Sequence, residues 1–569
     1  MRRDFAWATR GTVFTLSVLG LLLISGNSFG QGGTCPSGVP STSCYFVAGT
    51  GSDMNSGTSE SNPWLHAPGM PNCSGNCASA TPAPGTGFIF RGGDTWHFGN
   101  NSASPYTGGT WNWTWAGTAT DTIYIGVDQT WFNSPKCGAS WCRPILTGDN
   151  PLTPHPRVWQ DYVTSCAYQM TYRNEMVSFA NSGGHITFDN FELLGLCEQT
   201  LGTASNHYAY GYDWYVVDTQ IAPIHYENLY FHGWTHLKFS CSLDSTGEPV
   251  GICLRIETIT GSSGNPSILG PGIVVDGSDS DPGGADAIQA ESMYSMYDDV
   301  FRYNANICGG VCHSIHDNLI EYMYPSGDRL AHQNNFECIT EAPGINVYYN
   351  NVTRHSHAYG VNWWIGTKGV TDYVFNNIHY DIISAGNFFN VEPVGNSTTY
   401  MFNNTLEDQH NGAVMDCEGG SRTYSINNHF ITDWPTPYYG GKCITATDVF
   451  MHHSRAASQG YTSRRGGTCV NDATPCAPTS SRDATVGAGT NEESLCRILV
   501  GSSDPLVAAA GTACLSATTD GCTYNSTTHT NTCARVPVAR PATGAWDVGA
   551  YQYTGQTVQS PTNPPATAQ

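Results

Sequence analysis

Lysine is almost absent from this chain. Its 569 residues hold four: Lys136, Lys238, Lys368 and Lys442. Lys and Arg together number 23 against 46 Asp and Glu, a formal net charge of −23. A surface so poor in cations repels polyanions. Nucleic acid is not an expected partner, because phosphate binding needs clustered Lys and Arg. A uronic-acid polymer would need bridging metal ions or a local basic patch. Long apolar runs are also lacking. The stretch Val13 to Ile24 has 12 residues, short for a membrane span. It follows Arg2, Arg3 and Arg10 and precedes Ser28-Phe29-Gly30. That is the pattern of a secretory signal cleaved before Gln31. The mature chain is expected to have no membrane span and to be exported, either extracellular or periplasmic.

Cysteine, in contrast, is plentiful, with 21 residues. That number fits an oxidising compartment. Cys35/Cys44, Cys73/Cys77, Cys137/Cys142, Cys308/Cys312, Cys469/Cys476 and Cys522/Cys533 are close in sequence. Local disulfides stapling loops are the expectation, although spacing does not fix the pairing. The odd count leaves a thiol over, and the isolated Cys338 is the expected one. Structural zinc is disfavoured, since tight CxxC and His spacings are missing.

Four segments share one spelling: Val347-Tyr348-Tyr349-Asn350-Asn351, Tyr373-Val374-Phe375-Asn376-Asn377, Tyr400-Met401-Phe402-Asn403-Asn404 and Tyr424-Ser425-Ile426-Asn427-Asn428. Their second Asn residues lie 26, 27 and 24 residues apart. A fixed period in this range marks a repeat architecture. Alternating apolar residues mark a strand with one buried face. One such strand per coil, closed by Asn, suits a parallel β-solenoid in which asparagines stack and bond from coil to coil. Phe188-Asp189-Asn190, Tyr226-Glu227-Asn228 and His316-Asp317-Asn318 read as looser copies, and Val275-Asp276-Gly277 as a further variant.

The expected organisation is a signal peptide (1–30), an N-terminal cap with the first coils (31–184), a β-helix body (185–449), a Cys-rich C-terminal cap with a closing strand (450–553) and a disordered tail (554–569). Trp111, Trp113 and Trp115 alternate, so they share one face of a strand. They either cover the open end of the solenoid, the favoured reading, or form a platform for sugars.

Two further stretches add a resemblance. Tyr45-Phe46-Val47-Ala48-Gly49-Thr50-Gly51-Ser52-Asp53, with Asn55, Gly57, Thr58 and Pro63-Trp64, resembles the opening of secreted right-handed parallel β-helix proteins. Trp546-Asp547-Val548-Gly549-Ala550-Tyr551-Gln552-Tyr553 resembles their closing strand. With the repeats between them, residues ~45–553 resemble the pectate-lyase-like superfamily. The resemblance implies an all-β, right-handed parallel β-helix with disulfide-stapled, loop-rich caps. It leaves chemistry open, since that superfamily holds lyases, hydrolases, epimerases and noncatalytic proteins. The NTD, DD, GHG and RIK set of polygalacturonases is absent, as is the RxPxxR motif of pectate lyases.

Candidate sites follow from aligning Gly360, Gly386 and Gly412, each 26 apart. That alignment stacks Trp363, Phe389 and Met415, then Ile365, Val391 and Cys417, as inward columns. Trp364, Asn390 and Asp416 form one outward column and Gly366, Glu392 and Glu418 another, with Glu337 extending the first. Carboxylates beside a tryptophan suit glycan cleavage. One acid protonates the leaving oxygen, and a second activates water or attacks the anomeric carbon. Asp416, Glu418, Glu392 and Glu337 are the candidate catalytic residues. Trp364, Asn390 and Asn362 are the candidate substrate-binding ones. A lyase-type alternative uses Arg329, His332, Arg354, His355 and Lys368, which supply bases and cations. Asp276, Asp279 and Asp281 alternate as in part of a calcium loop, without EF-hand spacing. The reading requires no cofactor and leaves room for calcium. The expected function is degradation of an extracellular polysaccharide by a monomer, hydrolysis ahead of elimination. The alternative is a noncatalytic glycan-binding or cell-surface protein.

Overall fold

The computed structural model describes residues 32–555 except 100–108, 153–166, 169–174, 199–211, 219–221, 237–241, 244–248, 251–254, 262–266, 280–284, 291–292, 305, 324–333, 357–358, 366–367, 383–388, 394–395, 408–413, 417–421, 440–442, 460, 462–471, 473, 519–522 and 533–536. Three long parallel sheets wind along one axis as a parallel β-helix. Sheet 1 has 13 strands, from Ser43–Val47 to Cys443–Ala446. Sheet 2 has 12, from Thr95–His97 to Val449–Met451. Sheet 3 has 11, from Trp111–Asn112 to Tyr438–Tyr439. A typical coil runs Asn334–Glu341 in sheet 3, Ile345–Tyr349 in sheet 1, Val352–Ser356 in sheet 2, and back to sheet 3 at Tyr359–Ile365. Among the described residues no helix is long and apolar enough to cross a membrane.

The asparagine pairs build the corner between sheets 1 and 2. The first of each pair is left-handed: Asn350, Asn376, Asn403 and Asn427 have φ between 53° and 57°. Asn tolerates that conformation better than most residues. The second is buried and stacks. Nδ2 of Asn318, Asn351, Asn377 and Asn404 donates to Oδ1 of the next member at 3.0–3.1 Å, ending on Asn428. Each Nδ2 also donates to a carbonyl of an earlier coil, such as Tyr348 O from Asn377. Aspartates close the ladder. Asp299 N donates to Asn318, and Asn428 N donates to Asp448.

The looser copies differ in phase. Asn190 and Asn228 take the left-handed place, and apolar Phe191 and Leu229 follow them in the core. His316-Asp317-Asn318 does fit, with Asp317 left-handed and Asn318 in the ladder. Val275 and Asp276 lie in sheet 2 and are not a copy.

The coil interior is apolar. Its sheet 2 column runs Trp96, Leu146, Leu193, Phe231, Val275, Phe301 and Ile320 on successive strands. Trp111 and Trp113 are fully buried in this core beside Phe88, Phe90 and Phe188, and Trp115 packs against it. The platform reading of these tryptophans is therefore wrong. They fill the inside of the first coils.

The C-terminal region departs most from expectation. It folds back along the flank of the helix. Helices Glu493–Val500 and Pro505–Cys514, stapled by Cys496–Cys514, lie over the outer face of sheet 1. Cys496, Leu499, Val507 and Ala510 share a cluster there with Val347, Tyr349, Tyr373, Phe375 and Phe402. Those aromatics already stack from coil to coil, Tyr349 on Phe375 and Phe375 on Phe402. On sheet 2, Tyr524 donates to Asp276 at 2.9 Å across 248 residues, and His529 stacks on Tyr230. Ala550 and Tyr551 join the outer cluster of Val352 and Ile378.

The disulfides Cys35–Cys44, Cys73–Cys77 and Cys137–Cys142 form as expected. Cys338 is not the free thiol. It bonds Cys312, so Cys308 and Cys312 are not partners.

Candidate functional site

The C-terminal region packs on the outer faces of sheets 1 and 2. Among the described residues, the contacts of the region from Asp472 to Tyr551 fall mainly on sheets 1 and 2 and the corners between them, and Asp504 also meets His313 at 3.0 Å at the corner between sheets 3 and 1. Sheet 3 belongs to a core cluster that contains no residue of that region. The candidate residues on the Gly-aligned strands lie on sheet 3.

Four strands carry them: β1 (Asn334–Glu341), β2 (Tyr359–Ile365), β3 (Phe389–Pro393) and β4 (Met415–Asp416). Glu337, Asn362, Asn390 and Asp416 are successive register partners, and Tyr439 follows. Trp364 pairs with Glu392 on the neighbouring column. The glycine alignment therefore slips by two between β2 and β3. Val361, not Trp363, pairs with Phe389, and Trp364 stands beside Glu392 rather than Asn390. The physical reason is a longer connection. Val361 and Phe389 are 28 residues apart, and the additional residues fall outside the strands. A slip of two preserves strand parity.

Rungs ~4.8 Å apart and a two-residue step of ~6.7 Å put the Glu392 and Asp416 backbones ~8 Å apart on the diagonal. Glu337 lies three rungs from Asp416, ~14 Å away, too far to act with it on one bond. Glu337 is also buried, between core residues Phe336 and Cys338. Glu418 lies outside the described residues. Lys368 is exposed on a turn leading into sheet 1.

The lyase-type set divides. Arg329 and His332 lie outside the described residues. Arg354 and His355 are on sheet 2 and are already engaged. Arg354 Nε and Nη2 both lie 2.8 Å from Glu321 Oε2. His355 Nδ1 lies 2.6 Å from Asp381, and its Nε2 lies 3.1 Å from Asp472. An arginine neutralised in this way is not free to bind a substrate carboxylate. Sequence reasoning missed the rest of this column. Asp276, Arg302, Glu321 and Arg354 are register partners of alternating charge. Arg302 lies 3.4 Å from Glu321 and 3.8 Å from Asp276, and its guanidinium sits over the rings of Tyr303, Tyr322 and Tyr524. The signal lay in Val275-Asp276, Phe301-Arg302, Ile320-Glu321 and Thr353-Arg354, each charge following a core residue.

The calcium expectation finds its ligands occupied. Asp276 accepts from Tyr524 and Ser278 N, and Asp279 Oδ2 lies 2.8 Å from His232. Asp281 is outside the described residues. No group of three or more His, Cys, Asp or Glu among the described residues is arranged to hold a metal. A cleft of about 390 Å³ opens at the last coil, lined by Pro435, Pro437, Tyr438, Asp448 and Phe450, with Tyr438 on the strand that pairs with Met415–Asp416.

No family model matches the chain, and no curated protein matches it. Among solved structures, the chain is similar to a pectate lyase, Pel9A, at 15% identity and a TM-score of 0.41, over 90% of this chain and 97% of that one. A GH136 lacto-N-biosidase from Eubacterium ramulus matches at 12% identity and 0.41, over 72% and 68%. XylC in complex with xylose matches at 12% and 0.31, over 74% and 78%. At these similarities, function has to be argued from the chain's own residues.

Proposed function

We propose that this chain is an exported polysaccharide-degrading enzyme that binds a glycan along sheet 3 and hydrolyses it with carboxylates. The observation behind this reading is the register. It puts Asn362, Asn390 and Asp416 on successive rungs of sheet 3, with Trp364 and Glu392 on the neighbouring column. Amides bond sugar hydroxyls, and an indole ring stacks on a sugar face. Glu392 and Asp416 are one rung apart, so one carboxylic acid can protonate the leaving oxygen while the other serves water or the anomeric carbon. Glu418 is a further candidate for that second role. Elimination loses ground because Arg354 and His355 are engaged elsewhere.

The test is a glycan panel with and without calcium, followed by reducing ends and by absorbance of unsaturated uronates. Reducing ends alone support hydrolysis. Both signals overturn it in favour of a lyase, and silence across the panel favours a noncatalytic binding protein.

A further inference from the structure

His355 faces a carboxylate on each side, Asp381 Oδ2 at 2.6 Å from Nδ1 and Asp472 Oδ1 at 3.1 Å from Nε2. A neutral imidazole has one N–H and can satisfy only one of them. The other ring nitrogen would then turn a lone pair towards a carboxylate. Only the imidazolium, with two N–H groups, fits both partners. Asp381 belongs to a helix coil, whereas Asp472 comes from the region that returns over sheet 2. The proton on His355 therefore joins the two.

We propose that the C-terminal cover is fastened to sheet 2 by the His355 imidazolium and loosens around Asp472 when alkaline pH removes that proton. The other groups facing His355 are Arg354, which also donates to Asp472 O at 3.4 Å, the Tyr322 ring stacked at 5.3 Å, and Tyr380, whose hydroxyl donates to Asp472 at 2.9 Å. Glu321 neutralises Arg354, and Glu407 accepts from Asp381 N. The same arrangement occurs twice more on this flank. His232 is hydrogen-bonded between Glu192 and Asp279, and His453 lies 3.4 Å from Glu407 and 3.2 Å from Asp433 as a looser version.

Burial of His355 opposes its charge, but the hydrogen bonds to Asp381 and Asp472 outweigh burial and hold its pKa above the ordinary histidine value. Burial likewise opposes the Asp472 carboxylate, and His355 and Arg354 overcome it and hold its pKa down. A raised histidine pKa contributes fully below the unfolded value near 6.5 and is lost as pH rises through the folded value. The cover is therefore tight in mild acid and loosens in base.

Hydrogen exchange of the full chain between pH 5.5 and 9.5 tests this. Peptides containing Asp472 are compared with the 345–351 strand, and intrinsic rates are divided out. The expected result is exchange around Asp472 that accelerates by up to about tenfold per pH unit once His355 titrates, while 345–351 stays flat. Asp472→Asn, at a half-exposed position, should exchange fast already at pH 5.5 with no slope, and His355→Gln should do the same. A flat wild-type profile overturns the proposal, and so does an Asp472→Asn variant that keeps the wild-type slope.

Discussion

Asn351 is bonded twice to one atom of Asn377. Its backbone N–H and its Nδ2 both donate to Asn377 Oδ1, at 2.9 and 3.1 Å. Asn377 in turn gives its own Nδ2 protons to Asn404 and to Tyr348 O. Its side-chain amide is saturated and only 2% of the residue is exposed. Asn377→Ala should therefore leave three buried groups without partners and cost about 3 kcal/mol or more. Urea unfolding measures this, and a loss below about 1 kcal/mol would show that the ladder is not a main support.

The left-handed corner makes a different demand. Asn350 has φ 57° and is only half buried. Asn350→Gly should be near neutral, whereas Asn350→Val should cost about 1–2 kcal/mol through Cβ crowding alone. Thermal melting of the two variants side by side gives the comparison.

Asp372 gives a pH dependence of opposite cause to His355. Burial pushes its pKa up to about 7, although Glu341, Asn346 and Thr399 bond to it. A carboxyl group raised in the folded state keeps its proton there while the unfolded chain loses it. Stability should therefore fall as pH rises from about 4 to about 7 and then level off. Asp372→Asn should flatten that slope in urea midpoints measured from pH 4.5 to 8. An unchanged slope would place the titration elsewhere.

On sheet 3, Glu392→Gln and Asp416→Asn should each lower glycan cleavage by about 10²–10⁴-fold without changing the melting temperature. Trp364→Ala should act mainly on KM. Full activity in both carboxylate variants would remove this patch as the catalytic site.

The Asn pairs were readable because their geometry is local. A left-handed residue followed by a stacking amide is best met by two asparagines, so Asn350-Asn351 and Asn376-Asn377 are spelled alike, although Asp317 takes the first place before Asn318. The phase error at Asn190 and Asn228 arose because only the first of those two demands applies there. The sheet 3 columns were readable in parity but not in register, since glycine spacing does not count residues added to a loop between Val361 and Phe389. The cover was not readable. Its contacts, such as Tyr524 with Asp276 and Asn376 with Ser516, join residues separated by 248 and 140 positions and leave no periodic trace. Arg354 and His355 looked free for the same reason: Asp472 comes from a distant stretch.

A solenoid can in principle gain or lose a coil, because each turn repeats the contacts of the last. This one is held to a fixed number. Its returning region grips Tyr230 near one end and shares a cluster with Met451 near the other. Removing a single turn between those points would shift every grip beyond it by one rung, ~4.8 Å, and part Tyr524 from Asp276 or Asn403 from Asp547 and Gly549. The flank segment thus acts as a ruler for the helix it covers, and whole-coil deletions between Tyr230 and Met451 should be far less tolerated than changes of loop length away from those grips.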